Sequence, residues 1–303
     1  MNVALQAGLS LARQALLLAG IAIVVFLLIR VVPGDVVDSM ALEGSLDDEA
    51  IAALRAELGL DADALTQFRL WAMRALTGDL GTSMRFDRPV AELILASLPT
   101  TLALAAMALT AGLILGIGLA SAAVLWPRSI LPALVEGLNL WSIALPTFCV
   151  GLAAILVFSV WLGWLPVIGQ WISPVVILGL DIGGQVAKPL FEDLKESSTA
   201  AHIRTARAKG LSPARIVLRH LLPNALTTVV ALGGLILAGM IGGALTMEVL
   251  FGLPGLGTLA FQAISGRDYP VIQAVVLVFA AGVVVVNGLA DLIQRTLDPR
   301  LRG

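Results

Sequence analysis

The sequence predicts an all-α protein that crosses a membrane six times, with both termini in the cytoplasm and a small helical insertion outside. Of its 303 residues, 58% are hydrophobic and only 13% are charged, and the mean hydropathy of +0.96 lies far outside the range of soluble domains. Uncharged runs long enough to span a bilayer recur along the chain. Arginine and lysine are concentrated in alternate short loops, as the positive-inside rule requires.

The first predicted span lies close to the N-terminus. Residues 15–29 carry no charge, and with their apolar neighbours they reach the roughly 20 residues that a span needs. A cleaved signal peptide is the alternative interpretation of this run. No small-residue cleavage site follows, and Pro33-Gly34-Asp35 opens a turn instead. We therefore predict that residues 1–32 form an uncleaved first helix with a short cytoplasmic N-terminus.

Residues 33–97 are the only soluble-looking part of the chain, and acidic residues outnumber arginines there. We expect an extracytoplasmic insertion with one helix from Ser45 to Leu58 and a second over residues 63–77. A turn at residues 78–81 and a short helix starting at Pro89 would lead back into the membrane. A segment of this length is too small to house an enzyme domain.

Residues 98–303 are predicted to form a five-helix core. The run that contains Asp181 and Lys188 is the least apolar of its spans. Glycine and proline recur in residues 250–270, which predicts an extramembranous or re-entrant loop instead of a span. The five predicted spans cover residues 98–125, 138–162, 171–190, 225–247 and 271–289.

The longest polar interruption of this core is residues 192–224, which we call the elbow loop. Residues 199–209 favour a helix, and Gly210 suits the position just past a helix end. Ser212 is a good N-cap, and Pro213 would occupy the first helical position after it. The pattern predicts two short helices joined at a rigid angle on the cytoplasmic side. Its positive charge also allows two simpler interpretations, a topology signal alone or an anionic-lipid site.

The elbow loop resembles the cytoplasmic "EAA" loop of ABC-importer permeases. Ala206, Gly210 and Leu222-Pro223 keep the spacing of that motif, whereas Arg204 stands where the motif has glutamate and His220 where it has isoleucine. The segment TARAKGL, from Thr205 to Leu211, resembles the corresponding segment of the dipeptide/oligopeptide/nickel branch. Further short motifs that resemble those of this branch occur in the same order along the chain, at residues 33–35, 59–68, 78–83, 98–102, 248–257, 267–270 and 297–300.

The resemblance implies a bacterial inner-membrane permease subunit that forms half of a pathway for short peptides or nickel and other metal chelates. It also implies a second, homologous permease as heterodimer partner, two cytoplasmic ATPases and an extracytoplasmic binding protein. Lipids would surround it, and no nucleic acid would bind. The implied ATPase-coupling residues are Arg204, Thr205, Ala206, Arg207, Ala208, Lys209, Gly210 and Leu211, supported by Ser212, Pro213, Leu222 and Pro223.

The chain itself lacks the residues of an ATPase. Its three lysines, Lys188, Lys195 and Lys209, are each followed by a residue other than serine or threonine, whereas a phosphate-binding P-loop needs Gly-Lys-Ser/Thr. We therefore predict a transport subunit that is not an enzyme and holds no cofactor, with ATP-Mg bound by its partners. No metal site is predicted either, since His202 and His220 have no third ligand near them in sequence.

Asp181 is the candidate pathway residue, because a carboxylate in the middle of a span is unfavourable unless it faces the bundle or water. A structural polar contact is an equal alternative. Two other protein classes are alternatives to the permease. An ion-coupled secondary transporter would carry more ionisable groups at mid-membrane. An intramembrane enzyme would need paired carboxylates or a nucleophile with its base, and the predicted spans show one carboxylate.

Overall fold

The structure is a computed structural model that describes residues 3–31 and 63–297. The predicted helix from Ser45 to Leu58, the Pro33-Gly34-Asp35 turn and the motif at residues 297–300, apart from Leu297, lie outside the described residues. The helices are α1 (Val3–Val31), α2 (Ala64–Leu76), α3 (Val90–Leu125), α4 (Leu131–Ala144), α5 (Thr147–Ala154), α6 (Ile172–Ser197), α7 (Ala201–Ala208), α8 (Pro213–Ile216), α9 (Leu222–Phe251), α10 (Leu256–Ser265) and α11 (Tyr269–Leu297). Two π-helical segments, Ile155–Trp161 and Val217–Leu221, continue α5 and α8.

The all-α prediction is confirmed, with one small addition. Two short strands, β1 (Thr82–Ser83) and β2 (Arg88–Pro89), pair antiparallel in the described part of the chain. The sequence predicted a turn at residues 78–81 and a helix starting at Pro89. The turn glycines Gly78 and Gly81 have φ of +83° and +82°, and the helix begins one residue later, at Val90.

Four described helical stretches are long and apolar enough to cross a bilayer, and each of two sharply bent helix pairs would add one more span. The bent pairs are α4 with residues 147–161, at 99°, and Gly239–Phe251 with α10. In α1, the described apolar stretch is Ala12–Leu28. Membrane-crossing helices are thus present, and the total of six spans stays a prediction. The four stretches are Val90–Leu125, Ile172–Ser197, Pro213–Gly234 and Tyr269–Leu289.

The predicted span over residues 138–162 is not one straight helix. Leu145 is extended, with φ of −109° and ψ of 113°, and Pro146 follows it. Proline disfavours the helical conformation in the residue before it and has no N–H of its own to continue the helical hydrogen bonds. The helix therefore ends at Ala144 and restarts in a new direction at Thr147.

The chain divides into two compact units, residues 1–99 with 254–284 and residues 100–253 with 285–303. In the first unit, the start of α3 packs on α10 and the start of α11 around a buried apolar cluster. The domain boundaries predicted at residues 32 and 97 separate segments by the side of the membrane on which they lie. They do not describe compact units, and they stay a prediction. The cluster comprises Val90, Leu93, Ile94, Leu256, Leu259, Ala263, Val271, Ala274 and Val275.

The second unit is organised around α6, which has buried residues along most of its length. Two glycine pairs allow α3 to approach it closely. A Cβ at Gly112 would lie 2.6 Å from Ile182, and one at Gly116 would lie 2.9 Å from Val186. Facing them on α6 are Gly179 and Gly183, whose carbonyl oxygens would lie 3.0 Å from those added atoms. Small residues at this spacing are a recurrent way to pack membrane helices.

Candidate functional site

The elbow loop contains the two predicted short helices. α6 runs on to Ser197, and α7 begins at Ala201 because Ala200 takes an extended conformation, with φ of −62° and ψ of 151°. α7 ends at Ala208, and Gly210 has the left-handed φ of +77° expected of the residue past a helix end. The first helix is therefore shorter than predicted at its N-terminal end.

The second half of the loop is joined without a break to a long helix. The backbone N–H of Arg215 donates to Oγ of Ser212 across 3.4 Å, and Pro213 occupies the first turn of α8. The π-helical segment follows directly, and Leu222 then starts α9. Pro223 lies in the first turn of α9 and has no N–H to donate into the π-helical segment before it. The second half of the loop and α9 therefore form one continuous helical stretch.

The two faces of α7 differ in character. Ile203 and Ala206 are 0% and 8% exposed and pack into the core of the second unit. The opposite face is exposed and mostly polar, and the Nε of Arg204 donates to the carbonyl oxygen of Thr199 across 3.2 Å. Leu211 packs, half-buried, against the same core as Ala206. Of the predicted coupling residues, those exposed at the surface are Arg204, Thr205, Arg207, Ala208, Lys209 and Gly210.

Polar side chains fasten the elbow loop to the core, and sequence analysis missed them. Asp193 near the end of α6 accepts hydrogen bonds from the hydroxyls of Thr228 on α9, at 2.6 Å, and Ser197, at 3.3 Å. The only sequence signal for the longer contact is the i, i+4 spacing of Asp193 and Ser197. Thr228 lies too far along the chain for spacing to reveal it.

A cavity of about 280 Å³ in the second unit contains Asp181. The Nε2 of Gln185 donates to Oδ2 of Asp181 across 3.0 Å. Ser142 and Thr147 add hydroxyl groups to the cavity wall at the α4–α5 bend. The structure thus places Asp181 at a cavity, as a pathway role requires, and its one hydrogen-bond partner among the described residues lies one helical turn away.

Lys188, two turns further along α6, does not line this cavity. Its ammonium group forms ion pairs with Glu136 on α4 and, across 2.9 Å, with Glu192 one turn further along α6. The Glu192 pair follows from i, i+4 spacing. Glu136 was not predicted, because its contact with Lys188 depends on how α4 and α6 pack.

A second cavity, of about 650 Å³, lies beside the elbow loop. Lys195 and Arg207 contribute cations to its lining, and Leu211 is part of its apolar wall. The described residues contain no group of three or more His, Cys, Asp or Glu side chains that could hold a metal ion. His202 and His220, the chain's two histidines, therefore form no metal site together with acidic or thiol neighbours in this part of the chain.

The sequence of residues 108–303 matches the family described as "Binding-protein-dependent transport system inner membrane component". The chain belongs to this family. The permease is 34% identical over 287 residues to the glutathione transport system permease protein GsiC of Salmonella typhimurium strain LT2, covering 93% of this chain and 94% of GsiC. It is 35% identical over 295 residues to a Brucella abortus strain 2308 protein named as a peptide transport system permease, with the same coverages.

The fold of the permease is also found among solved structures. It is similar to a chain of the MetNI methionine ABC transporter in an inward-facing conformation, with a TM-score of 0.57 and 21% sequence identity, covering 68% of this chain and 96% of that chain. At this identity the likeness concerns the fold alone. Together the comparisons confirm the predicted ABC-importer permease of the peptide-transport branch, a multi-pass subunit of the bacterial inner membrane.

Proposed function

We propose that the permease forms half of a translocation pathway for short peptides, glutathione among them, that a binding protein delivers. The observation that carries this proposal is the similarity, over 93% of the chain, to permeases named for glutathione and for peptide transport. We propose short peptides as the cargo instead of nickel or other metal chelates, which are the other cargo of the predicted branch. A second homologous permease is proposed as the other half, in a heterodimer.

The proposed energy source is ATP hydrolysis by two partner ATPases, which bind ATP-Mg and dock on the elbow loop. The exposed polar face of α7 is the proposed contact surface, and Ile203 and Ala206 hold its other face against the core. Gly210 and Ser212 set a rigid angle after it, and α8 continues into α9. A rigid-body movement of the ATPases would then reach α9 directly and α6 through the Asp193–Thr228 hydrogen bond.

Arg204 makes this contact surface positively charged. The general motif has glutamate at this position, whereas the permease exposes a guanidinium there, beside the exposed cations of Arg207 and Lys209. A partner groove with complementary charge would therefore be acidic. The proposed ATPase partner is thus one with carboxylates where it receives the end of α7.

The transport proposal is tested with the assembled importer. The permease would be co-expressed with the ATPases, second permease and binding protein from neighbouring genes, and uptake of labelled dialanine and glutathione would be measured in proteoliposomes. We expect ATP-dependent uptake that a Walker-lysine substitution in the ATPases abolishes. Uptake that survives this substitution would overturn the proposal in favour of an ion-coupled transporter.

The coupling surface is tested by retention of the ATPases on the purified permease. Arg204→Ala removes a cation from the exposed face of α7, and we expect ATPase retention to weaken about tenfold, since a few arginines often dominate an interface. Arg128→Ala is the matched control, because Arg128 is exposed in the loop between α3 and α4. Equal retention by both variants would remove Arg204 from the coupling surface.

A further inference from the structure

The cavity around Asp181 is bounded by two features that each attract a cation, and the two come from different helices. One is the carboxylate of Asp181 on α6, and the other is the C-terminal end of α4. Residues 142–147, which include the end of α4 and the start of α5, all line the cavity. The proposed transport function does not by itself assign a ligand to this place.

The end of α4 supplies carbonyl oxygens. Leu145 donates its N–H back to the carbonyl of Trp141, and Pro146 has no N–H to donate. The last carbonyl groups of a helix have no partner within the helix, and they carry the negative end of its dipole. The chain bends by 99° here, and residues 142–147 line the cavity, so this end of α4 lies at the cavity wall.

The carboxylate of Asp181 lacks a cationic partner among the described residues. Its one hydrogen bond there comes from the neutral amide of Gln185, and no ion pair of the described chain includes it. The nearest lysine along α6, Lys188, is already paired with two glutamates. A carboxylate within a span is unfavourable unless water, a hydrogen-bond network or a cation compensates it.

The remaining wall suits the end of a small organic molecule. Ser142 and Thr147 offer hydroxyl groups, while Leu178, Ile236 and Met240 are apolar. Pockets for drug-sized ligands are roughly 300–1,000 Å³. At about 280 Å³, the cavity lies close to the lower limit of this range, which suits the end of a short peptide.

We propose that this cavity binds the primary ammonium group of a peptide during its passage, with Asp181 as the counter-ion and the end of α4 as a second acceptor. This inference rests on the proposed peptide transport. An ammonium group has three N–H donors, which match one carboxylate and neighbouring carbonyl or hydroxyl oxygens. A divalent metal is a poorer fit, because the described residues offer no cluster of ligating side chains. An alkali-metal ion shares the chemistry of ammonium and is distinguished by experiment.

The test measures binding to the complete importer in nanodiscs without the binding protein, so that the selectivity of that protein has no influence. Equilibrium dialysis would compare labelled dialanine with N-acetyl-dialanine, whose N-terminus is neutral. For the wild-type importer we expect dialanine to bind about tenfold or more tightly than the acetylated peptide, since charge-assisted hydrogen bonds are lost on acetylation. Asp181→Asn should remove this preference.

Two further variants keep the result interpretable. Asp181→Glu retains the charge and should retain part of the preference for dialanine. Glu92→Gln removes an exposed carboxylate that pairs with Arg88, and it should bind both peptides like the wild type. Asp181→Asn must also elute as an intact complex with unchanged ATPase retention, which separates loss of binding from loss of folding.

Three outcomes would overturn the inference. Equal binding of both peptides to the wild type would show that the ammonium group is not recognised. A preference that persists in Asp181→Asn would place the recognition elsewhere. Loss of Asp181-dependent uptake when choline replaces sodium, with no effect of acetylation, would assign the cavity to an alkali-metal ion. Failure of the proposed transport itself is distinct, because proteoliposomes with every partner would then import no dialanine.

Discussion

Ser83 and Asp268 lie 185 residues apart in sequence and share a buried hydrogen bond of 2.5 Å, which the Ser83 hydroxyl donates to Oδ2 of the carboxylate. The same carboxylate accepts the N–H of Arg85 at 3.3 Å, and Ser83 Oγ accepts the N–H of Phe86 at 3.0 Å. Ser83 and Asp268 are 1% and 0% exposed. The β-hairpin and the turn between α10 and α11 are therefore joined by one polar network, and two motifs that the sequence shows separately form one structural unit.

Asp268→Ala should destabilise the first unit. The substitution leaves the Ser83 hydroxyl and a backbone N–H buried without their acceptor, and we expect the free energy of unfolding to fall by about 1–3 kcal/mol. Thermal unfolding of the detergent-solubilised permease, followed by tryptophan fluorescence, would show this as a lower Tm. Glu92→Ala is the control, since its exposed ion pair contributes little. A Tm equal to that of the control would contradict a stabilising role for the network.

Gly112→Ala should separate α3 from α6. The added Cβ would lie 2.6 Å from Ile182, so either helix must shift, and small-to-large changes in packed cores reduce stability by about 1–3 kcal/mol. Gly118→Ala is a matched control on the same helix, because nothing lies within 4 Å of its added Cβ. We expect the control to be neutral or slightly stabilising, since alanine favours a helix more than glycine does. Thermal unfolding of both variants measures the difference, and similar Tm values would disprove the close approach.

Gly210→Val should weaken coupling through backbone conformation. Space around Gly210 is open, so a side chain meets nothing within 4 Å, but the φ of +77° is unfavourable for a β-branched residue. Gly210→Asn should be milder, because asparagine tolerates the left-handed region. We expect ATPase retention and peptide uptake to decrease in the order wild type, asparagine, valine. Equal loss in both variants would indicate that side-chain bulk, and not φ, disturbs the loop.

The start of α2 should respond to acid. The pKa of the Asp63 carboxyl is lowered because the Thr66 hydroxyl donates to it at 2.6 Å and the Thr66 N–H donates at 3.1 Å. Its contribution to helix stability is therefore present above the unfolded-state pKa and lost as the pH falls through the lower, folded-state pKa. Hydrogen exchange of α2 should accelerate in that acidic window in the wild type. In Asp63→Ala, exchange should already be fast at neutral pH and should show no such acid step.

Local patterns in the sequence determined the class of protein and the shape of the elbow loop. Hydropathy identifies the membrane helices because each span must satisfy its own backbone hydrogen bonds in lipid. Gly210, Ser212 and Pro213 act within a few residues of themselves, through φ, an N-cap and a missing N–H. For that reason the left-handed turn and the start of α8 are found where they were predicted. Similar local reasoning predicted a helix starting at Pro89, and the helix begins one residue later, at Val90.

Tertiary structure alone decided which groups meet. Asp181 accepts a hydrogen bond from Gln185, whereas Lys188 pairs with Glu136 on a neighbouring helix. The sequence marked Asp181 as unusual, yet it did not show the end of α4 beside the same cavity. Likewise, only the tertiary structure shows that Ser83 and Asp268 are hydrogen-bonded to each other. Contacts of this kind depend on helix direction, bending and packing, which no spacing within a single segment encodes.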